Sequence, residues 1–125
     1  ASSCYMSMFS GCSSLTTSPA LPATRLVENC YYYMFQNCTS LTTAPSLPAT
    51  TLASSCYYKM FNGCSNIKLS TTQTGEYQYE YRIPTSGTGT TASRSLENMF
   101  LDTGGTFKGT PSINTTYYTN HQPIG

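Results

Sequence analysis

The stretch LPATTLASSCYYKMFNGCS, residues 47–65, decides how the chain is read. Leu52, Cys56, Met60 and Cys64 fall at i, i+4, i+8 and i+12. Tyr57 and Phe61 widen that apolar stripe to one side, which is the pattern of an amphipathic helix. Pro48 sits where a helix can start, because a first-turn position needs no N–H. Gly63 sits near the end of the stripe, where a helix can stop. The spacing therefore predicts a helix, and the preceding Ser40–Pro45, β-branched and closed by proline, predicts a short strand.

Working outward, the same pattern recurs every 26 residues. Cys4, Cys30 and Cys56 keep that step, as do Cys12, Cys38 and Cys64. Tyr5, Tyr31 and Tyr57, Met8, Met34 and Met60, and Phe9, Phe35 and Phe61 follow it too. Aligning residues 1–26 with 27–52 gives 15 identities without a gap, so the repeat is not an accident of composition. One unit cannot bury its apolar face alone, whereas stacked units can. The expected fold is a short α/β solenoid of the leucine-rich-repeat type, with a parallel sheet on one face and helices on the other. Ala1 aligns with Ala53, inside a unit, so the sequence reads as part of a longer repeat array or as a processed product.

The segments Met8–Leu15 and Leu47–Leu52 resemble the BspA-like branch of the leucine-rich repeats, whose units carry an aromatic-Gly-Cys-x-x-Leu element followed by a Leu-Pro element. The resemblance covers residues 1 to about 70. It implies a curved solenoid, usually found on bacterial surface proteins and in gut-phage proteins, that binds and does not catalyse. This chain has a longer unit than the family's usual one and adds a Cys-Tyr-x-x-Met-Phe run.

Three parts are expected: a repeat array over 1–70 with incomplete first and last units, a hairpin and linker over 71–91, and a divergent capping unit and tail over 92–125. In the second, Tyr77, Tyr79 and Tyr81 alternate with polar residues and share one strand face. Lys68–Ser70 is expected to pair with that strand across Gly75, and Pro84–Thr90 to be a turn-rich linker. In the third, Met99-Phe100 echoes Met60-Phe61, Phe107 takes the Leu41 position, and Gly104-Gly105 stands in a turn-like stretch. Residues 117–125 read as a short polar tail.

The composition excludes several functions. Charged residues make up 9% of the chain and the formal net charge is +1, which argues against nucleic-acid binding. The polar character comes instead from 17 Ser and 21 Thr. No apolar run approaches the roughly 20 residues of a membrane helix. There is no Cys-x-x-Cys pair and His121 is the only histidine, so neither a zinc site nor a Cys–His nucleophile is expected. Glu28, Glu76, Glu80, Glu97 and Asp102 show no spacing that selects a catalytic pair. The two cysteines of a unit would lie about 12 Å apart along a helix, beyond the roughly 7 Å a disulfide allows. Both columns therefore read as small buried side chains, with disulfides between stacked units as the alternative. Asn37-Cys38-Thr39 and Asn114-Thr115-Thr116 match the glycosylation pattern.

Two candidate binding surfaces emerge. One is the stripe of Tyr77, Tyr79 and Tyr81, either an aromatic platform for a sugar or peptide or a cover for the open sheet edge. The other is the hydroxyl-rich set Thr16, Thr17, Thr42 and Thr43 on the repeat strands. The repeating Tyr5, Tyr31 and Tyr57 are expected between turns, and Tyr32, Tyr33 and Tyr58 exposed on the convex side. The expected function is non-catalytic: an extracellular or cell-surface adhesion module that recognises a host protein or glycan, without cofactor, metal or membrane insertion. The alternative is a structural or receptor-binding part of a phage virion or surface appendage, with self-assembly through the repeat ends.

Overall fold

The computed structural model describes residues 7–17, 21, 26, 28–83 and 94–124. The apolar stripe of Leu52, Cys56, Met60 and Cys64 is buried as its spacing demands, at 3% exposure or less. The backbone that carries it is not helical. No helix occurs among the described residues, and the expected helices are replaced by runs of consecutive turns. The chain is thus not an α/β solenoid with helices on one face.

The hydrogen bonds show why the turns are stable. Within a unit, the N–H of Met34, Gln36 and Cys38 donates to the carbonyl three residues back: Tyr31, Tyr33 and Phe35, each at 3.1 Å. The intervening residues donate to the next unit instead. Tyr31, Tyr33, Phe35 and Asn37 give their N–H to the carbonyls of Cys56, Tyr58, Met60 and Asn62, at 2.7–3.1 Å. The same alternation joins Phe9 and Gly11 to Met34 and Gln36, and Phe61 and Gly63 to Met99 and Leu101. Buried backbone groups must find partners, and here neighbouring coils supply half of them. A lone unit could not satisfy itself this way.

The reversals need a left-handed residue at every fourth position. Asn29, Tyr33 and Asn37 have φ of 58°, 56° and 60°, and Ser55, Lys59 and Gly63 stand in register at 55°, 49° and 80°. Arg94, Asn98 and Asp102 continue the series. Asn, Asp and Gly tolerate this conformation, which explains their recurrence here. The side chains follow as two in and two out: Cys56 and Tyr57 are buried, Tyr58 and Lys59 face outward, and Met60 and Phe61 are buried again. The inward rings stack from coil to coil. Phe9, Phe35, Phe61 and Phe100 form one column with centroids 5.5, 5.5 and 5.3 Å apart, and Tyr31 lies 5.8 Å from Tyr57. These are offset stacks at favourable separations.

The expected strand Ser40–Pro45 is reduced to single bridges, Thr17 to Thr43 and Pro45 to Ile124. The regular sheet lies in the second half. Its strands are β1 (Lys68–Ser70), β2 (Tyr79–Arg82), β3 (Gly104–Gly105) and β4 (Thr116–Thr119), ordered β2-β4-β1-β3. β4 runs antiparallel to both β1 and β2, so Lys68–Ser70 does not pair with the tyrosine strand across Gly75. The segment expected to be a polar tail supplies this central strand, because Thr116-Tyr117-Tyr118-Thr119 combines β-branched and aromatic residues with Tyr117 and Thr119 facing inward. Gly104 and Gly105 form a strand and not a turn. β3 lies parallel to β1, and a Cβ on Gly105 would stand 2.4 Å from the Leu69 carbonyl oxygen. The absence of side chains is what lets the two strands meet. The Pro84–Thr90 linker lies outside the described residues.

Candidate functional site

The two-in, two-out alternation puts one outward pair of each coil above the pair of the next. Tyr32-Tyr33 therefore lies against Tyr58-Lys59, and a half-buried aromatic cluster forms. Tyr32 and Tyr58 stack with centroids 5.2 Å apart, while Tyr33 meets Tyr32 edge-on at 4.2 Å and Tyr58 at 5.6 Å. Two cations border it. The Lys59 ammonium lies 5.4 Å from the Tyr58 ring centre and 5.9 Å from that of Tyr33, and the Arg94 guanidinium lies 5.6 Å from Tyr58. Arg94 also reaches Glu97 at 3.6 Å. A hydrogen bond with Tyr33, followed by burial, raises the Tyr32 phenol above its ordinary pKa.

Arg94 also lines a shallow cleft of about 360 Å³ with Leu96, Pro111 and Ile113. Flat rings, phenol hydroxyls, two cations and an adjoining cleft suit a ligand with one apolar face and polar or anionic substituents. A second outward column carries amides: Gln36 Nε2 donates to Asn62 Oδ1 at 3.1 Å, and Asn62 Nδ2 to the Leu101 carbonyl at 3.1 Å. These groups are engaged with one another and brace the coils.

The residues singled out from the sequence are placed differently. Tyr79 is exposed at 42%, but Tyr77 and Tyr81 are buried at 8% and 2%. The Tyr81 hydroxyl donates to the Pro45 carbonyl at 2.9 Å and its ring meets Phe100 edge-on at 6.1 Å, so Tyr81 ties the sheet to the repeat core. The stripe does not offer three rings on one open face. Thr16 and Thr17 are exposed and Thr42 is half-buried, with its N–H and hydroxyl both on the Thr16 carbonyl. Thr43 is buried at 8%. No hydrogen bond or ring contact joins the threonine set to the tyrosine set among the described residues.

Cys38, Cys56 and Cys64 are buried thiols without a disulfide. Each donates to a carbonyl of a neighbouring coil: Cys38 to Phe9 at 3.0 Å, Cys64 to Phe35 at 2.9 Å and Cys56 to Ser95 at 3.6 Å. Burial pushes the Cys56 thiol up to about 11 and the Cys64 thiol up to about 12, the opposite of an activated nucleophile. Cys12 departs from the buried column and is exposed. Glu28, Glu76, Glu80, Glu97 and Asp102 are all exposed, and no group of three or more His, Cys, Asp or Glu converges among the described residues. No helix among them is long and apolar enough to cross a membrane.

Comparison of the chain with protein-family models, with curated proteins and with solved structures finds no match.

Proposed function

We propose that this protein is a non-catalytic recognition module whose ligand is a carbohydrate of a cell or matrix surface, bound on the Tyr32–Tyr33–Tyr58 cluster. One observation carries the reading: three tyrosines from two coils form a continuous aromatic surface bordered by Lys59 and Arg94. A sugar ring would pack its apolar C–H groups along the rims of the stacked Tyr32 and Tyr58 rings, with its hydroxyls to the phenols. An acidic sugar would add a carboxylate or sulfate near the two cations. An extracellular or surface location belongs to this reading, as does the resemblance to BspA-like repeats.

The test is a panel of neutral and acidic glycans with immobilised surface proteins, read by saturable binding. Tyr58→Ser should weaken glycan binding at least tenfold, and Tyr79→Ser should leave it unchanged. Equal binding by wild type and Tyr58→Ser, binding to proteins only, or no binding at all would overturn the proposal. A structural role in a virion or surface appendage is the second reading, favoured by the exposed Met8–Cys12 end of the coil stack.

A further inference from the structure

Positions that repeat every 26 residues ought to have similar surroundings, and at one end of the stack they do not. Met34, Phe35 and Cys38 are 2%, 0% and 0% exposed, and Met60, Phe61 and Cys64 are all 0% exposed. Their equivalents in the first coil behave otherwise. Met8 is 58% exposed, Phe9 is half-buried and Cys12 is exposed.

The polar groups of this end are open in the same pattern. In the second coil the carbonyls of Met34 and Gln36 accept the N–H of Phe9 and Gly11. Among the described residues, the equivalent carbonyls of Met8 and Ser10 accept nothing. The thiols repeat the mismatch: Cys64 donates to Phe35 of the coil before, and Cys38 to Phe9 of the coil before. Cys12 has no such acceptor among the described residues. Among the described residues, the first coil thus offers two carbonyls, a thiol and the end of the phenylalanine column.

We infer that this face receives a further coil of the same 26-residue pattern, stacked in register on Met8, Phe9 and Cys12 and supplying alternate N–H donors and a phenylalanine carbonyl. The face continues the interface already made three times inside the molecule. A second copy docked end to end through the same face fits less well, because it would set the Met8 and Ser10 carbonyls of the two copies against one another. The opposite end of the stack is closed: Phe100 exchanges backbone hydrogen bonds with Gly109 at 2.8 and 3.1 Å, and its ring meets Phe107.

The experiment is to place a copy of residues 27–52 directly ahead of Ala1 in the full chain. This repeats the junction found at Leu52-Ala53, since Ala1–Tyr5 and Ala53–Tyr57 are the same five residues. Labelling of Cys12 by a thiol reagent under native conditions should slow at least tenfold, and the thermal midpoint should rise. A second measurement separates stacking from mere attachment: Phe9→Ala should lower the midpoint more in the extended chain than in the original. Unchanged Cys12 labelling, equal cost of Phe9→Ala in both chains, or an extended chain that does not fold would overturn the inference. These readouts do not involve the tyrosine cluster, so they stand apart from the glycan proposal.

Discussion

Phe61 shows how much one residue carries. It is fully buried and stacks between Phe35 and Phe100. Phe61→Ala should cost about 3–5 kcal/mol in chemical denaturation, the usual range for a large aromatic removed from a core. A cost below about 1 kcal/mol would place Phe61 outside the column. Gly63 tests the turns in a different way. Its φ is 80°, and a Cβ there would stand 2.1 Å from Asn37 Oδ1. Gly11 has φ of 76° with open space around it. Gly11→Ala and Gly63→Ala should therefore each cost about 1–2 kcal/mol from the left-handed backbone, the exposed Asn37 side chain swinging aside from the new Cβ at Gly63. A cost near zero at either position would mean that its backbone is not left-handed. The buried thiols set a pH dependence. Cys56 and Cys64 ionise in the unfolded chain near the ordinary thiol value of 9, but only at about 11 and about 12 when folded. Above pH 9 the unfolded chain binds fewer protons, so stability falls as pH rises. Denaturation curves should superimpose from pH 6 to 8 and shift to lower denaturant by pH 10. A Cys56→Ala/Cys64→Ala variant should lose part of that shift, and an unaltered shift would assign it to other groups.

At the level of elements, the sequence was legible for what is buried and misleading for how the backbone runs. Leu52, Cys56, Met60 and Cys64 are four apart, and a strict step of four suits a helix only approximately. With about 100° per residue, the stripe drifts roughly 40° at each step. A turn that repeats every four residues has no such drift. Asn29, Asn37, Gly11, Gly63, Asn98 and Asp102 gave the missing signal, since they are poor in helices and good at positive φ. Hydrogen bonding to a neighbouring coil is a tertiary property, and no single unit reveals it. The tyrosine cluster was half-legible. Tyr32, Tyr33 and Tyr58 could be placed on the outside, but their meeting depends on the register of two coils. For Tyr81 the sequence leaves an exposed platform and a packed cover both open, because strand alternation does not say which face is covered. The sheet yields a prediction of its own. β1 is paired on both sides by strands that follow it in the chain. A chain ending at Ser70 should aggregate, because it exposes both edges of β1 and uncovers Phe61. Sedimentation of a soluble monomeric 1–70 fragment would refute this.

In the whole molecule, the coils and the sheet are one core. Tyr81, Ile83, Leu96, Met99, Phe100 and Tyr117 join the buried cluster that begins at Leu21 and Leu26. The backbone ladder runs from Phe9 through Met34 and Phe35 to Met60, and from Phe61 to Met99. That ladder fixes the register that places Tyr58 beneath Tyr32, so the proposed site depends on it. The most direct measurement is scalar coupling across hydrogen bonds by NMR in isotopically labelled protein. Stacked coils predict couplings from the Phe35 amide nitrogen to the Met60 carbonyl carbon, and from the Phe61 nitrogen to the Met99 carbonyl carbon. Coupling from the Met60 nitrogen to the Cys56 carbonyl, the i to i−4 bond of an α-helix, with none between coils, would contradict the account.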